Sequence, residues 1–256
     1  MNHHPSSQAR YSRQMILPEV GTQGQELLAD ARILIIGMGG LGCAAAQYLA
    51  AAGIGQMLIA DDDRVEISNL HRQVLHDQSS LGAMKTASAQ QRLLSLNPDI
   101  CIETIPHRLG ESELISAVAS VDYVLDASDN FATRYAINRA CIQTDRILVS
   151  GAAIRLEGQL TVLRPARSDQ ACYACLYPQT LSTETDEDSC ENSGVLGPLV
   201  GVIGAMQAME TLKLILNLGR NLTGRLLHYD AAQAQWREIK IKPDPECNHC
   251  LTGRPT

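Results

Sequence analysis

The stretch that most constrains the fold is residues 32–53, where an apolar run, four glycines and an alanine-rich segment follow one another. Residues 33–36 are apolar and mostly β-branched, as in a buried strand. The alanines and leucines after residue 42 favour a helix. A strand, a turn and a helix N-terminus direct backbone N–H groups to one point, which is a common site for phosphate. Alone, this pattern does not identify a nucleotide, and a tight turn without a ligand stays open as an alternative. The glycines of the turn are Gly37, Gly39, Gly40 and Gly42.

Strand-like and helix-like segments alternate after this stretch as far as residue 150. Strands are predicted at 56–60, 100–105, 121–126 and 146–150, and helices at 85–96, 111–119 and 131–143. This order predicts an α/β fold with a Rossmann-like, doubly wound, mostly parallel sheet and helices on both faces. Later strands at 158–163, 225–229 and 236–241, with a helix at 198–218, predict an antiparallel C-terminal extension of that sheet. Residues 11–17 are interpreted as an arm before a short helix at 23–29.

Charge and hydropathy exclude several classes of partner. The net charge of −7 argues against nucleic acid as the main partner, since nucleic-acid binders usually carry a basic face. Residues 1–12 are polar and lack the apolar region of a secretory signal. The longest apolar stretch, 197–218, is interrupted by Gln207, Glu210 and Lys213, and a charge at mid-span is costly in a bilayer. We therefore expect a cytoplasmic protein that binds neither nucleic acid nor a membrane.

Five polar residues after the second predicted strand indicate what the glycine turn binds. Asp61 ends that strand, where nucleotide-binding folds place the carboxylate that binds ribose. Each cation that follows could be a solvated surface group. A triphosphate, however, uses several cations, because charge builds on its phosphates as a bond to phosphorus breaks. The set favours ATP over the dinucleotide of a hydride-transfer enzyme. It comprises Asp61, Asn69, Arg72, Gln73 and Lys85.

Asp129 follows the fourth predicted strand, at the edge of the sheet where ligands of open α/β sheets bind. A carboxylate beside phosphates requires a cation, and Mg²⁺ commonly takes one or two carboxylates together with phosphate oxygens. We therefore predict that Asp129 binds Mg²⁺. The alternative is that it caps the following helix, and both roles could coexist if Asp126 or Asn130 shared them.

Two C-x-x-C pairs, Cys172 with Cys175 and Cys247 with Cys250, predict a metal site. Four thiolates complete a closed tetrahedral Zn²⁺ site, which leaves no position for substrate and is therefore structural. A thioredoxin-like redox pair is the alternative, but neither pair lies in the usual context of that motif. Cys190 stands alone in a polar, acidic segment, 178–192, that is interpreted as a mobile loop. An exposed thiol there could be a nucleophile or simply a tolerated loop residue.

As a set, these motifs resemble those of a known family. Residues 37–42 (GMGGLG), 68–73 (SNLHRQ), Lys85, 127–130 (ASDN) and the two C-x-x-C pairs come in the order seen in the MoeB/ThiF/HesA family, bacterial relatives of ubiquitin-activating enzymes. The resemblance covers nearly the whole chain. It implies a homodimer with a structural Zn²⁺ that uses ATP and Mg²⁺ to adenylate the C-terminal glycine of a small β-grasp sulfur-carrier protein, releasing pyrophosphate.

The resemblance also implies a role for each matching residue. Arg13 would reach across the dimer to the phosphates bound by the other subunit, and together with Arg72, Lys85 and Asp129 it would be catalytic. Cys190 matches a cysteine that some members link covalently to the carrier and others do not need. The residues implied to hold ATP and Mg²⁺ are the four glycines of the turn, Asp61, Asn69, Arg72, Gln73, Lys85, Asp129 and Asn130.

Two kinds of carrier fit the resemblance. Residues 150–158, 201–210 and 229–231 look like the molybdopterin-synthase type, which acts on a MoaD-like carrier, whereas residues 61–64 look more like the thiamine-thiazole type, which acts on a ThiS-like carrier. We expect the MoaD-like carrier, because the first set is longer and nearer the expected tail-binding surface. His71, and Ala83 with Met84, depart from residues frequent in the family. The chain stops soon after Cys250, so we expect a separate sulfur donor.

These assignments divide the chain into three parts packed as one adenylation domain. They are an N-terminal arm and helix (1–30), a nucleotide-binding Rossmann-like half (31–150) and a carrier-binding and zinc-binding half (151–256). Two other functional classes fit these residues less well. An NAD-dependent oxidoreductase would leave Arg72, Lys85 and Asp129 without a role. A non-catalytic, zinc-stabilised scaffold would usually have lost one of the charged ATP-binding residues, and none is missing here.

Overall fold

The computed structural model describes residues 5–167, 169–179 and 194–253. Their centre is one eight-stranded sheet with the strand order β3-β2-β1-β4-β5-β6-β7-β8. The first five strands pair in parallel, and β5 to β8 pair antiparallel. This confirms the predicted fold class. The strands are β1 (Arg32–Ile36), β2 (Gln56–Ala60), β3 (Cys101–Ile105), β4 (Tyr123–Asp126), β5 (Ile147–Ile154), β6 (Glu157–Leu163), β7 (Arg225–Asp230) and β8 (Gln235–Lys240).

Helices cover both faces of the parallel part of the sheet. The alternation of side chains along β1 explains why: Ile33 and Ile35 belong to one buried cluster with Leu49, while Leu34 and Ile36 belong to another. The helices of the described part are α1 (Pro5–Met15), α2 (Gly21–Asp30), α3 (Gly40–Ala52), α4 (Lys85–Leu96), α5 (Glu111–Ala119), α6 (Phe131–Thr144), α7 (Tyr173–Leu176), α8 (Gly197–Ile215) and α9 (Asn248–Gly253).

The strand order reverses between β1 and β4, which are neighbours in the sheet although two strands separate them in sequence. Ile36 lies opposite Asp126 in the parallel register, and the Ala127 N–H donates to the Ile36 carbonyl at 2.9 Å. The glycine turn and the segment after β4 therefore start side by side. In open α/β sheets, ligands bind in the crevice at such a reversal.

Helix α8 packs closely on α3 and forms part of the core. A Cβ on Gly204 would lie 2.3 Å from the Leu41 carbonyl oxygen, so the two helices approach to backbone contact. The buried Gln207 side chain donates to the Asp126 carbonyl at 2.8 Å. The buried Glu210 pairs with Lys213 and accepts from the Leu222 N–H. By length and composition alone α8 could span a membrane, but these contacts are those of a core helix, as predicted.

The N-terminal segment differs from its predicted form. Residues interpreted as an arm belong to α1, which begins at Pro5 and ends at Met15. The arm was predicted because residues 5–15 are mostly polar, with few apolar side chains to indicate a buried helix face. Helix-forming residues such as Gln8, Ala9 and Arg10 nevertheless favour a helix there. Boundaries elsewhere shift by a few residues: β4 begins at Tyr123 rather than residue 121, and α8 ends at Ile215 rather than residue 218.

Candidate functional site

At the glycine turn the backbone at the start of α3 lies very close to the end of β1, and space remains beside the turn on the side of the cleft. A Cβ on Gly42 would lie 1.9 Å from the Gly37 carbonyl oxygen, so only glycine lets α3 start this close to β1. A Cβ on Gly39, in contrast, would meet only the Gln73 side chain, at 3.8 Å. Packing within the protein therefore explains Gly42, whereas the space at Gly39 faces the cleft and is available to a ligand.

Asp61 holds the turn in place. Its carboxylate accepts the Met38 N–H at 2.6 Å through Oδ2 and the Asp63 N–H at 2.8 Å through Oδ1. Burial raises the pKa of Asp61, and the neighbouring Lys85 and the two backbone donors oppose that shift. Asp61 therefore caps the turn that follows it. Its carboxylate also lines the cleft, where ribose hydroxyls could donate to it.

Lys85 occupies an electrostatically costly position. It is the first residue of α4, where the positive end of the helix dipole disfavours a cation, and its side chain is only 7% exposed. The Lys85 Nζ lies 2.8 Å from Asp63 Oδ2, which offsets part of that cost. A cation retained at such a point is typical of an anion-binding site. Asp63 is not among the residues predicted for the site, although its position two residues after Asp61 was a usable signal.

A short 3₁₀-helix, Ile67–Asn69, places the remaining polar residues of the cleft. Asn69 Oδ1 accepts the Glu66 N–H at 3.1 Å. Arg72 Nη1 donates to the Ser68 carbonyl at 2.9 Å and to His71 Nε2 at 2.8 Å. Gln73 is 3% exposed, and its Oε1 has no hydrogen-bond partner among the described residues. An unpartnered buried amide oxygen is costly, and here it belongs to a side chain that lines the cleft.

Asp126 at the end of β4 and Asp129 and Asn130 after it have three different roles. Asn130 caps α6, because its Oδ1 accepts the Thr133 N–H at 2.9 Å. Asp126 is fully buried and accepts from Ser128 and Ser150, and burial raises its pKa. Neither role falls to Asp129, whose exposed carboxylate lines the cleft and contacts the Asn130 amide at 3.3 Å. Asp129 is therefore available to a metal ion.

The structure brings most of the predicted nucleotide site together around one cleft at the strand-order reversal. Gly42 lies beneath the turn, behind the cleft wall. Sequence reasoning did not assign Asp63, Glu66, Ser128 or Val200, which also line the cleft. Val200 comes from α8, more than 150 residues after the turn, so no local pattern could have identified it. The predicted residues on the cleft wall are Gly37, Gly39, Gly40, Asp61, Asn69, Arg72, Gln73, Lys85, Asp129 and Asn130.

A second cavity adjoins the cleft and shares Asp129 and Ala153 with it. Its walls are largely aromatic. The rings of Phe131 and Tyr177 meet edge-on with centroids 6.1 Å apart, and those of Tyr173 and Tyr177 are 4.9 Å apart. The Tyr177 hydroxyl hydrogen-bonds to Gln159. The other residues of this aromatic cavity are Arg134, Ala152, Ile154 and Glu157.

The four cysteines of the C-x-x-C pairs form one cluster. The Sγ–Sγ distances are 3.8 Å between Cys172 and Cys175, 3.7 Å between Cys172 and Cys247, and 3.4 Å between Cys175 and Cys250. All four sulfurs lie close enough to one another to bind one metal ion. The cluster ties α7, which carries Tyr173 of the aromatic cavity, to α9. Cys190, predicted as a loop thiol, lies outside the described residues.

Arg13 lies far from the cleft of its own chain. The neighbouring Gln14 donates to the carbonyl of Ala52, the last residue of α3, at 3.2 Å. Helix α3 has 13 residues and starts at the glycine turn, so its two ends are about 18 Å apart. Arg13 is exposed at that far end and does not line the cleft. The structure therefore separates this predicted phosphate contact from the other site residues.

Comparison with known sequences identifies relatives along nearly the whole chain. The profile of the ThiF family matches residues 11–249. A molybdopterin-synthase adenylyltransferase of Salmonella typhimurium is 44% identical over 241 residues, which cover 94% of this chain and 95% of that protein. A protein of Anopheles gambiae named adenylyltransferase and sulfurtransferase MOCS3 is 47% identical over 243 residues. The chain spans about half of that longer relative, 54% of its length.

Comparison with solved structures supports the same fold. The crystal structure of E. coli MccB superposes with a TM-score of 0.82 over 98% of this chain and 74% of that chain, at 21% identity. The structure of MccB with ATP gives a TM-score of 0.80, also at 21% identity, over 97% of this chain and 75% of that chain. At this level of identity the similarity concerns the arrangement of helices and strands.

Proposed function

The chain belongs to the ThiF family, and from this premise we propose that it is an adenylyltransferase that joins AMP from ATP to the C-terminal carboxylate of a small sulfur-carrier protein. The observation that carries the proposal is the convergence of Arg72, Lys85 and Asp129 on the glycine turn at the strand-order reversal. A hydride-transfer enzyme has no comparable use for two cations and a separate carboxylate beside the pyrophosphate-binding turn.

The proposed reaction needs no general base. The carboxylate of the carrier is already ionised and attacks the α-phosphorus in line, forming an acyl–oxygen–phosphorus bond. The bond between the α-phosphorus and the bridging oxygen breaks, and pyrophosphate leaves with the electron pair. Arg72 and Lys85 would neutralise the charge that builds on the phosphate oxygens, and the turn would fix their position. Mg²⁺ bound at Asp129 would add positive charge at the phosphates.

Two structural details fit a nucleotide in the cleft. The open space beside Gly39 allows close approach of a phosphate to the backbone N–H groups at the start of α3. The unpartnered Gln73 amide is available to a ligand. The ends of an amide can exchange by a half-turn, so it can offer either an oxygen or an N–H group. Asp61 would then accept from ribose hydroxyls.

The cysteine cluster fits Zn²⁺. A tetrahedron with Zn–S bonds of about 2.3 Å has Sγ–Sγ edges of roughly 3.8 Å. Three of the six Sγ–Sγ distances, 3.4–3.8 Å, are close to that value, and all four sulfurs lie within 4.8 Å of one another. Four protein ligands leave no open coordination position, so the ion would be structural. Thiolates also favour Zn²⁺ over the oxygen-binding Mg²⁺.

We place the C-terminal tail of the carrier in the aromatic cavity. This cavity shares Asp129 and Ala153 with the nucleotide cleft, so an extended tail lying in it would bring its carboxylate close to the nucleotide. Arg134 lines the cavity and would attract the carboxylate. We propose a MoaD-like carrier in molybdenum cofactor biosynthesis rather than a ThiS-like carrier. The relative from Salmonella supports this choice, since it aligns over nearly its whole length.

A homodimer would complete the site. Because Arg13 lies at the far end of α3, we propose that it reaches the phosphates bound by a second copy of the chain. We further propose that sulfur comes from a separate donor protein after adenylation. The reaction would take place in the cytoplasm, where thiols remain reduced and can bind zinc.

An ATP–pyrophosphate exchange assay with purified carriers tests this proposal. We expect labelled pyrophosphate to enter ATP when a MoaD-like carrier and Mg²⁺ are present, and not when the terminal glycine of the carrier is deleted. Exchange with a ThiS-like carrier alone would reverse the choice of carrier. Calorimetric titration that detects NAD binding and no ATP binding would overturn the proposed reaction.

A further inference from the structure

The backbone of Met38, in the middle of the glycine turn, is held by hydrogen bonds at both its N–H group and its carbonyl group. Its N–H donates to Asp61 Oδ2 at 2.6 Å. Its carbonyl oxygen accepts from the Cys43 thiol at 3.3 Å and lies 3.2 Å from His76 Nε2. Burial raises the pKa of Cys43 to about 12, so this thiol keeps its proton and remains a donor. The turn is therefore fixed by three side chains from different parts of the chain.

The ring of His76 bridges the turn to another element. A carbonyl oxygen can only accept, so His76 Nε2 must carry the proton and donate to Met38. The other nitrogen, Nδ1, lies 2.9 Å from Ser88 Oγ and accepts from it in the neutral ring. His76 is only 4% exposed, so water can reach very little of the ring. Both ring nitrogens are thus committed to the two elements that the ring joins.

Ser88 and Lys85 share one face of α4, because residues three apart lie above one another on a helix. A hydrogen-bonded path therefore runs from the glycine turn through Met38 and His76 to Ser88, one turn from Lys85. The Lys85 side chain is directed to Asp63, which lies two residues beyond the Asp61 that begins the path. His76 itself does not line the cleft.

We propose that His76 is a positioning residue that sets the distance between the glycine turn and Lys85, and so aligns the backbone that binds the phosphates with the cation that neutralises them. This inference rests on the proposed adenylyl transfer. His76 would act through Met38 and Ser88 and would not touch the nucleotide. Misplacing a catalytic group by about 1 Å can cost roughly 100-fold in rate, so such a bridge has a measurable effect.

The bridge requires a neutral ring. Burial is the main cause that lowers the pKa of His76, and Lys85 lowers it further; the hydrogen bond to Met38 and the charges of Asp61 and Asp77 act in the opposite direction. On protonation Nδ1 would become a donor, so Ser88 would have to rotate its hydroxyl, and the new charge would face Lys85. Because the unfolded chain takes up this proton more readily, the folded state loses stability as the pH falls below about 6.5.

Direct titration of the purified protein with a non-hydrolysable ATP analogue, without any carrier, tests the bridge. In H76L, which removes both hydrogen bonds, we expect the Kd to rise about tenfold and kcat for exchange to fall by a further tenfold. H76Q keeps a donor for Met38 and should recover most of the affinity. Nitrogen-15 spectra of the wild type should show one histidine with its proton on Nε2 and no titration between pH 8 and 6.5.

T161V serves as the matched control. Thr161 is buried and donates to the Arg225 carbonyl at 2.9 Å, in the antiparallel part of the sheet. This variant should lose stability without a change in Kd. If H76L loses stability but binds the analogue like the wild type, the residue is merely structural and the inference is wrong. If the wild type itself does not bind the analogue, the proposed function fails, which is a different result.

Discussion

Two sites of the molecule are built by opposite means. The glycine turn at the strand-order reversal depends on the absence of side chains: a Cβ on Gly42 would lie 1.9 Å from a carbonyl oxygen, and Gly39 leaves space beside the cleft. The cysteine cluster, which joins the segments of α7 and α9 beside α6, depends on four side chains that converge from two distant segments. The first site is set by backbone geometry and the second by ligand chemistry.

Because the two sites are built differently, mutations in them should affect different properties. A backbone site is built into the strand and helix that carry it, so a change there alters binding and the local fold together. A metal site contributes folding free energy when the ion binds, so loss of the ion should first lower the stability of the fold. The polar side chains that line the cleft, such as Asp129, are a third case, because neither the turn nor the metal holds them.

The substitution D129A should have the largest effect and should separate chemistry from structure. Asn130 still caps α6 in this variant, so the fold should be retained. We expect carrier-dependent exchange to fall by roughly 10³-fold, as when one charge-stabilising group is removed from an active site. D122A is the matched control, since Asp122 accepts the Arg32 N–H near the other end of β4. A near-normal exchange rate in D129A would overturn the assignment.

Removal of the proposed metal should destabilise the cysteine cluster and the two segments that it joins. Chelation, or the substitution C247S, should lower the Tm by about 10 °C, because a loss of several kcal/mol shifts a domain of this size by a few degrees per kcal/mol. Exchange should fall as well, because α7 places Tyr173 in the aromatic cavity. Metal analysis and thermal unfolding check this. C101S, at an exposed cysteine on β3, should change neither measurement.

Substitution of single glycines should have smaller effects on nucleotide binding and on stability, and it tests whether the turn depends on backbone packing. G42A should weaken binding of an ATP analogue about tenfold and destabilise the fold by roughly 2 kcal/mol, since the new methyl group meets backbone. G201A places the same methyl group in α8 with nothing within 4 Å, and should stabilise by about 0.5–1 kcal/mol. Urea unfolding and calorimetric titration measure both. Equal effects of the two variants would refute the backbone account.

The smallest effect is expected for C190A. Adenylation uses a carboxylate nucleophile and no thiol, so exchange should stay within twofold of the wild-type rate. The C190S variant is a control for thiol size. A large loss of exchange in both variants would mean that this cysteine acts before or during adenylation, and not only in a later covalent link.

Much of the fold could be predicted because its signals are local. The apolar run at 33–36, the glycines after it and the alternating segments each lie within one element, and the parallel order follows from their sequence. The cysteine cluster was predictable for a different reason, since ligand spacing is itself a local pattern. Helix α1 was missed because its side chains are mostly polar.

The rest of the site could not be predicted because its contacts are distant in sequence. His76 meets Met38 and Ser88, which lie 38 residues before it and 12 residues after it. Val200 reaches the cleft from α8, and the aromatic cavity combines rings from α6 and α7. Such partners are chosen by packing, and no property of His76 or Val200 alone distinguishes them from ordinary core residues.

Strand β5 has a mechanical consequence for the molecule. It is hydrogen-bonded in parallel to β4 along one edge and antiparallel to β6 along the other, and it runs unbroken from Ile147 to Ile154. The boundary between the two halves that we predict from the sequence, between residues 150 and 151, therefore lies inside a single strand. Cutting the chain there would leave each fragment with an unpaired, aggregation-prone edge. The protein should accordingly melt in a single calorimetric transition and resist being expressed as two complementary pieces.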